Sequence, residues 1–157
     1  MQAITPFLWF DSQAEDAANF YVSVFPDSEI SSVVSYGEAG PGPVGSVMVV
    51  TFKLRGLEFN ALNGGPVYQF NPAVSFVIDC VTQEEVDHYW DTLTSEGGME
   101  VQCGWLVDRF GVSWQVVPRR LNELMSDPDA EKAKRVTEAM LQMKKLIIAD
   151  LEAAAEG

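Results

Sequence analysis

The chain has 157 residues, of which 47% are hydrophobic and 21% charged, and this suits one globular domain or two small halves joined into one. The net charge is −13, and the first 108 residues hold only two basic side chains, Lys53 and Arg55, against fifteen acidic ones. Such an acidic surface repels the phosphates of nucleic acids and of anionic lipids, so we expect neither as a partner. No stretch approaches the roughly 20 apolar residues of a membrane-spanning helix.

The N-terminal segment and the cysteines indicate the compartment. The segment MQAITPFLWFD has no basic region and no cleavage pattern, so we expect no signal peptide. Cys80 and Cys103 have neither the spacing of a metal site nor the number of a disulfide framework. We therefore expect a cytoplasmic location with both thiols reduced.

The first half of the chain predicts the order β-α-β-β-β. The apolar run ITPFLWF at 4–10 predicts a buried strand, and Ser12 with Glu15 predicts a capping box at the start of a helix. The apolar residues of this helix repeat at helical spacing: Ala14, Ala17, Ala18, Tyr21 and Val24. Strands follow at 29–36, 46–54 and 57–62, with a glycine- and proline-rich loop at 37–45.

The same order recurs in the second half. A strand is predicted at 73–80, a helix capped by Thr82 at 84–95, and closing strands at 99–106 and 113–117. The closing hairpin turns at Asp108-Arg109-Phe110-Gly111, where the aspartate bonds its own backbone and the glycine permits a positive φ. Alternation then sets two faces, with Val112, Trp114 and Val116 on one and Ser113, Gln115 and Val117 on the other.

These two halves also align with each other. Residues 14–21 align with residues 83–90 at a constant offset of 69, and in the closing strands Asn60 corresponds to Gln115. A repeat of this length predicts duplicated structural halves.

The remaining residues predict helices. A short helix is expected at 119–125 and one long amphipathic helix at 129–155, with this apolar stripe: Val136, Met140, Met143, Ile147 and Leu151. Such a stripe needs a surface to cover it, either on its own domain or on a partner subunit, and we expect a homodimer.

Several motifs together resemble one known family. They are FLWFD with the alanine-rich helix to Tyr21, ALNGGP at 61–66, QEEVD at 83–87, and CGWL to QVVP within 103–118. The chain resembles the PhnB-like, demethylubiquinone methyltransferase-type family of the vicinal oxygen chelate superfamily, which includes glyoxalases, bleomycin-resistance proteins and dioxygenases. The resemblance implies an α+β fold in which two β-α-β-β-β modules, 1–65 and 72–118 within a domain of residues 1–118, form a curved mixed sheet around a cavity. Residues 119–157 would form a C-terminal helical extension.

The metal enzymes of that superfamily take ligands from opening and closing strands of both modules, and this chain does not match them. The opening strands offer Ile4–Phe7 and Pro72–Ser75, without a usual ligand, and the closing strands offer the amides of Asn60 and Gln115. Two neutral amides do not hold a divalent transition metal against water. His88 falls on a helix, away from the expected cavity, so we expect no metal and no cofactor.

Other chemistries find little support in the residues. The glycines at 64–65 lead into Pro66 and not into a helix, which argues against a nucleotide-binding loop of the S-adenosylmethionine type. Cys103 has no base placed near it by sequence, and Asp108, a possible general base, has a structural alternative in its turn.

The sequence thus predicts a protein that binds a small aromatic or hydrophobic molecule in the cavity between its modules, without a catalytic metal. The expected contacts are the following tryptophans and amides: Trp9, Asn60, Asn63, Trp105, Trp114 and Gln115. Two alternatives stay open. One is an enzyme of the superfamily, either a metal-dependent lyase or dioxygenase or the methyltransferase of the family label, and the other is a resistance protein that sequesters a toxic compound.

Overall fold

The computed structural model describes residues 2–157, and the chain divides into two compact units, one ending at Phe70 and the other spanning Asn71–Gly157. Each unit contains a four-stranded mixed sheet and a helix in the order β-α-β-β-β, and the second unit adds three helices. The predicted α+β class with duplicated modules is therefore confirmed. No helix within residues 2–157 is long and apolar enough to cross a membrane, and the cytoplasmic location stays a prediction.

Unit 1 is organised around one helix on one sheet. Its elements are β1 (Phe7–Phe10), α1 (Ala14–Val24), β2 (Glu29–Ser35), β3 (Val47–Leu54) and β4 (Leu57–Asn63). The strands lie in the order β1-β4-β3-β2, with β1 parallel to β4 and the other neighbours antiparallel. The whole apolar stripe predicted for α1 is buried, and the helix packs on β3 and β4.

The start of α1 differs from the prediction. Ser12 does not cap the helix; the N-cap position is Gln13, whose side chain makes no capping bond. The backbone N–H of Ala14 instead donates to Oδ1 of Asn63 over 2.8 Å, from the end of β4. The predicted capping box was wrong because a residue 49 positions away supplies the acceptor.

Unit 2 repeats this arrangement. Its elements are β5 (Ser75–Cys80), α2 (Gln83–Leu93), β6 (Met99–Glu100), β7 (Trp105–Val107), β8 (Ser113–Pro118), α3 (Arg119–Met125), α4 (Ala130–Leu141) and α5 (Ile148–Glu156). The strand order β5-β8-β7-β6 matches that of unit 1. Thr82 caps α2 as predicted, because its Oγ1 accepts a hydrogen bond from the backbone N–H of Glu85 over 3.2 Å. The predicted strand at 99–106 is instead two short strands, since the backbone turns at Cys103 and Gly104, where φ is 58° and 83°.

The repeat is regular in the helices and shifts by one residue in the opening strands. Helices α1 and α2 have 11 residues each and keep the predicted offset of 69. The burial pattern of β1 instead matches that of β5 at an offset of 70, because three residues precede α1 and only two precede α2. Phe7 therefore corresponds to Val77, and their partners in register are Asn60 and Gln115. The predicted equivalence of these two amides is confirmed.

The tail forms two helices where one long helix was expected. Between α4 and α5 the backbone N–H groups of Cys103 and Gly104 donate to the carbonyls of Met143 and Lys144, each over 2.8 Å. These carbonyls are thus committed to the turn before β7 and are not part of a continuous helix. The long helix was wrong because a distant segment binds the backbone at its middle.

The apolar side of the tail is buried within unit 2 itself. It forms a core cluster of these residues: Leu121, Leu124, Val136, Leu146, Leu151 and Ala155. The argument that a partner subunit must cover this stripe therefore no longer holds, and the homodimer stays a prediction.

Charged groups also attach the tail to α2. Lys145 Nζ lies 3.1 Å from a carboxylate oxygen of Asp87 and 3.1 Å from one of Asp91. Hydrogen bonds from Gln83 and then from Lys145 lower the pKa of Asp87. Partial burial pulls the pKa of Lys145 down, but the hydrogen bonds to Asp91 and Asp87 outweigh it and raise that pKa.

Candidate functional site

One face of the unit 1 sheet is covered by α1, and strand alternation directs a second set of side chains to the other face. We call this second set the unit 1 open face, because within residues 2–70 no helix packs on it. Near β1 its members are Phe7, Trp9, Val49, Thr51, Asn60 and Leu62, and the same alternation adds Lys53 and Glu58 towards the other end of β3 and β4. Phe7 is 56% exposed and the others are partly buried, so near β1 this face presents apolar surface with two neutral polar groups.

Trp9 is held at the end of this face. Its Nε1 donates to the carbonyl of Gly65 over 2.9 Å, and its ring meets Tyr68 edge-on with centroids 5.0 Å apart. A Cβ atom at Gly64 would come within 2.3 Å of the indole, so only glycine lets the backbone pass beneath the ring. The Gly64-Gly65 pair therefore holds the Trp9 ring in place, Gly64 by leaving room for it and Gly65 by accepting its hydrogen bond.

The two asparagines of unit 1 have different roles. Asn60 lies opposite Phe7 on the open face, and its Oδ1 accepts a hydrogen bond from Thr51 Oγ1 over 2.6 Å. Asn63 caps α1 and also donates from Nδ2 to the carbonyl of Val47 over 3.1 Å. Asn63, at the end of β4, thus connects β3 and the start of α1 through hydrogen bonds, while Asn60 lies on the open face.

Unit 2 has an equivalent face opposite α2, and at one end of it Val117 packs against the helical tail. We call the remainder the unit 2 open face, and its members are Ser75, Val77, Trp105, Val107, Ser113 and Gln115. Trp105 and Gln115 are direct partners in the β7–β8 pair, and both are half-buried. Gln115 Nε2 donates to Ser75 Oγ over 2.9 Å, which fixes the amide along the sheet.

Trp114 points to the opposite face of β8, which α2 covers. It is 3% exposed, and its Nε1 donates to Oδ2 of Asp108 over 2.9 Å. The other carboxylate oxygen of Asp108 accepts from the backbone N–H groups of Phe110 and Val112, over 2.9 and 3.0 Å. The structure thus corrects the predicted set: Trp114 belongs to the core of unit 2, and Asp108 organises the hairpin turn.

The donor set of the two open faces does not fit the divalent metal of the superfamily. At the register positions beside Asn60 and Gln115 the opening strands carry Phe7 and Val77, which have no ligand atom. The two amides already bond Thr51 and Ser75, whereas such metals require imidazole, thiolate or carboxylate ligands. Within residues 2–157 no group of three or more histidine, cysteine, aspartate and glutamate side chains could hold a metal ion.

Unit 1 also contains a cleft that the sequence did not indicate, with a volume of about 580 Å³. Its walls include Tyr36, Asn63 and three exposed carboxylates, those of Asp11, Glu15 and Asp16. Gly40 and Gly42 of the 37–45 loop pass so close to the Tyr36 ring that a Cβ at either would lie within 2.7 Å of it. The only sequence signal for this cleft was that glycine-rich loop.

This duplicated arrangement, with an open face on each sheet, is the glyoxalase-like fold. A glyoxalase/bleomycin resistance protein from Albidiferax ferrireducens matches with a TM-score of 0.50 at 12% identity, covering 75% of this chain and 99% of that chain. A protein from Pseudomonas aeruginosa matches with a TM-score of 0.62 at 19% identity, over 75% and 98% of the two chains. At such identities these likenesses establish the fold alone.

The family follows from a closer match. A family sequence model described as 3-demethylubiquinone-9 3-methyltransferase matches residues 2–117. A PhnB protein from Bacillus cereus, whose structure is described with the same activity name, is 40% identical, with a TM-score of 0.68 over 74% of this chain and 99% of that chain. The chain belongs to this PhnB-like family, as its motifs predicted. A search of curated proteins finds no match.

Proposed function

We propose that this protein binds a small, uncharged aromatic or hydrophobic molecule on its open sheet faces, without a catalytic metal. The observation that carries the proposal is that each open face presents one partly buried tryptophan and one amide: Trp9 and Asn60 on the first, and the register partners Trp105 and Gln115 on the second. A flat indole offers a stacking surface, and an amide offers one oriented hydrogen bond, which is the usual composition of a small-molecule site.

The metal-free part of the proposal rests on the donor chemistry. One atom of each amide, Asn60 Oδ1 and Gln115 Nε2, bonds a hydroxyl on its own sheet, and the adjacent register positions are apolar. These residues are suited to orient a neutral ligand by hydrogen bonds.

The family description favours a second candidate, methyl transfer. In this chain the Gly64-Gly65 pair seats the indole of Trp9 and leads on to Pro66, so it does not form the glycine loop before a helix that nucleotide cofactors use. Methyl transfer from labelled S-adenosylmethionine to a catechol, lost in Gln115→Ala, would support this enzyme. Tight binding of a compound without conversion to a product would support the alternative of a resistance protein that sequesters a toxic compound. That outcome also agrees with our proposal.

The first experiment tests binding with a defined probe. Equilibrium dialysis of 2-methylnaphthalene should show binding to the wild type, and Trp105→Ala or Trp9→Ala should weaken it about tenfold, since losing a ring contact costs roughly 1–1.5 kcal/mol. The two variants tested singly show which face binds.

The matched control is Trp90→Phe, because Trp90 is a buried tryptophan of α2 that belongs to neither open face. It should leave the affinity unchanged. Absence of binding to the wild type, or equal affinity in both alanine variants and the wild type, would overturn the proposal. Native mass spectrometry tests the metal-free part, which a stoichiometric transition metal that is lost in Gln115→Ala would contradict.

A further inference from the structure

Ser113 is a buried polar residue with an unexplained hydroxyl. It lies in β8 at 2% exposure, and within residues 2–157 its Oγ has no hydrogen-bond partner. Buried hydroxyl groups are nearly always paired, and an unpaired one opposes folding. Alanine or valine at this strand position would not bury an unpaired hydroxyl. We therefore look for a hydrogen-bond partner of Ser113 outside the chain.

The hydroxyl belongs to the unit 2 open face. Strand alternation puts Ser113 on the same face as Gln115, and its register partners are Ser75 on one side and Val107 on the other. Gln115 bonds Ser75 through Nε2, which leaves its Oε1 without a partner among the described residues. A donor at Ser113 and a free acceptor at Gln115 are thus neighbours, with Cα atoms about 7 Å apart along the strand.

The nearest neighbours of this pair on the face are uncharged. They are Ser75, Val77, Val107 and Trp105. The titratable group of β5 on the same side is Asp79, which is exposed and paired with Arg119 at the end of the strand. A charged ligand would find no counter-charge beside the pair, so the geometry favours a neutral one.

We propose that Ser113 and Gln115 form the polar end of the ligand site and recognise a hydroxyl group on an aromatic ring. The hydroxyl oxygen accepts a hydrogen bond from Ser113 Oγ, the hydroxyl proton is donated to Gln115 Oε1, and the ring lies against Trp105. Trp105 and Gln115 lie on the same face as the buried hydroxyl and are half-buried, so a ligand on this face reaches Ser113 Oγ by displacing the side chains that cover it. This inference rests on the proposed function and adds its ligand class, a phenol, together with a specificity residue.

The test compares two probes of equal shape, 2-naphthol and 2-methylnaphthalene, by equilibrium dialysis. The wild type should bind 2-naphthol about tenfold more tightly, because two added neutral hydrogen bonds are partly offset by the loss of bonds to water. Ser113→Ala should remove this preference and leave the affinity for 2-methylnaphthalene within about twofold. Ser35→Ala, an exposed serine of β2 in unit 1, is the matched control and should bind both probes as the wild type does.

The outcomes separate the two proposals. If the wild type shows no preference for 2-naphthol, or if Ser113→Ala weakens both probes equally, the phenol site is refuted, while loss of 2-methylnaphthalene binding in Trp105→Ala still supports the proposed function. If the wild type binds neither probe, both proposals fail. Circular dichroism melting curves of Ser113→Ala confirm that a changed preference is not caused by misfolding.

Discussion

The hairpin that carries Trp105 and Gln115 depends on the buried carboxylate of Asp108. Removing this carboxylate tests this part of the structure most directly. Asp108 is 3% exposed and accepts hydrogen bonds from two backbone N–H groups of its turn and from Trp114 Nε1. Asp108→Ala leaves these donors without a partner, two of them fully buried. At about 1–3 kcal/mol for each of the two buried donors, the free energy of unfolding should fall by about 2–6 kcal/mol.

A more selective change separates the indole bond from the turn. Asp108→Asn keeps one acceptor oxygen but places an N–H₂ group where a second acceptor was, so one donor faces another and we expect a loss of about 1–3 kcal/mol. In a Trp114→Phe background the indole N–H is absent, and the same substitution should cost about 1–2 kcal/mol less.

The assay is guanidinium unfolding of the four members of this cycle, followed by far-ultraviolet circular dichroism. A fully additive cycle would refute the bond between Asp108 and Trp114. If Asp108→Ala were as stable as the wild type, the structural role of the carboxylate would be refuted. The alternative that Asp108 acts as a general base would then be favoured.

Three further predictions follow from other contacts. Asn63→Ala removes both the acceptor at the start of α1 and the donor to the Val47 carbonyl, and should destabilise unit 1 by about 1–3 kcal/mol. Asn63→Asp keeps the acceptor but places an oxygen against the Val47 carbonyl, so it should also destabilise unit 1; equal thermal stability of the alanine variant and the wild type would contradict both bonds. Leu146→Ala, at a fully buried position of the tail cluster, should cost about 2–5 kcal/mol in urea unfolding, while Leu141→Ala, at 54% exposure, should change stability by less than about 0.5 kcal/mol. Asp87→Asn should lower stability at neutral pH by less than about 1 kcal/mol. The folded-state pKa of Asp87 lies below its ordinary value of 3.8. The wild type should therefore be more stable than Asp87→Asn above pH 3.8, and this difference should vanish as the pH falls through the folded-state pKa. A stability difference that persists in strong acid would contradict the ion pair.

The local parts of the fold were predictable from the sequence because local rules dictate them. The buried side of α1 follows from the helical spacing of its apolar residues, and the start of α2 follows from the Thr82 cap. The hairpin turn at 108–111 follows from an aspartate and a glycine at fixed positions. The duplicated order of elements was visible for the same reason, since each half repeats the same local signals.

The candidate site was predictable only in part. Alternation in β8 already separated Trp114 from Gln115, but the sequence did not show which face the helix covers. That choice depends on the packing of α2, which places Trp114 in the core and leaves Trp105 and Gln115 on the open face. Asn63 was selected as a ligand contact, and the structure shows that it caps α1.

The amino-acid sequence by itself determined the two modules, their helices, the closing hairpin and the family. Only the tertiary structure decided the contacts between segments far apart in the chain: the cap of α1 by Asn63, the break of the tail at Met143 and Lys144, and the unpaired hydroxyl of Ser113. The physical reason is that periodicity and capping act over a few residues, whereas hydrogen bonds and burial depend on which distant segments the packed core brings together.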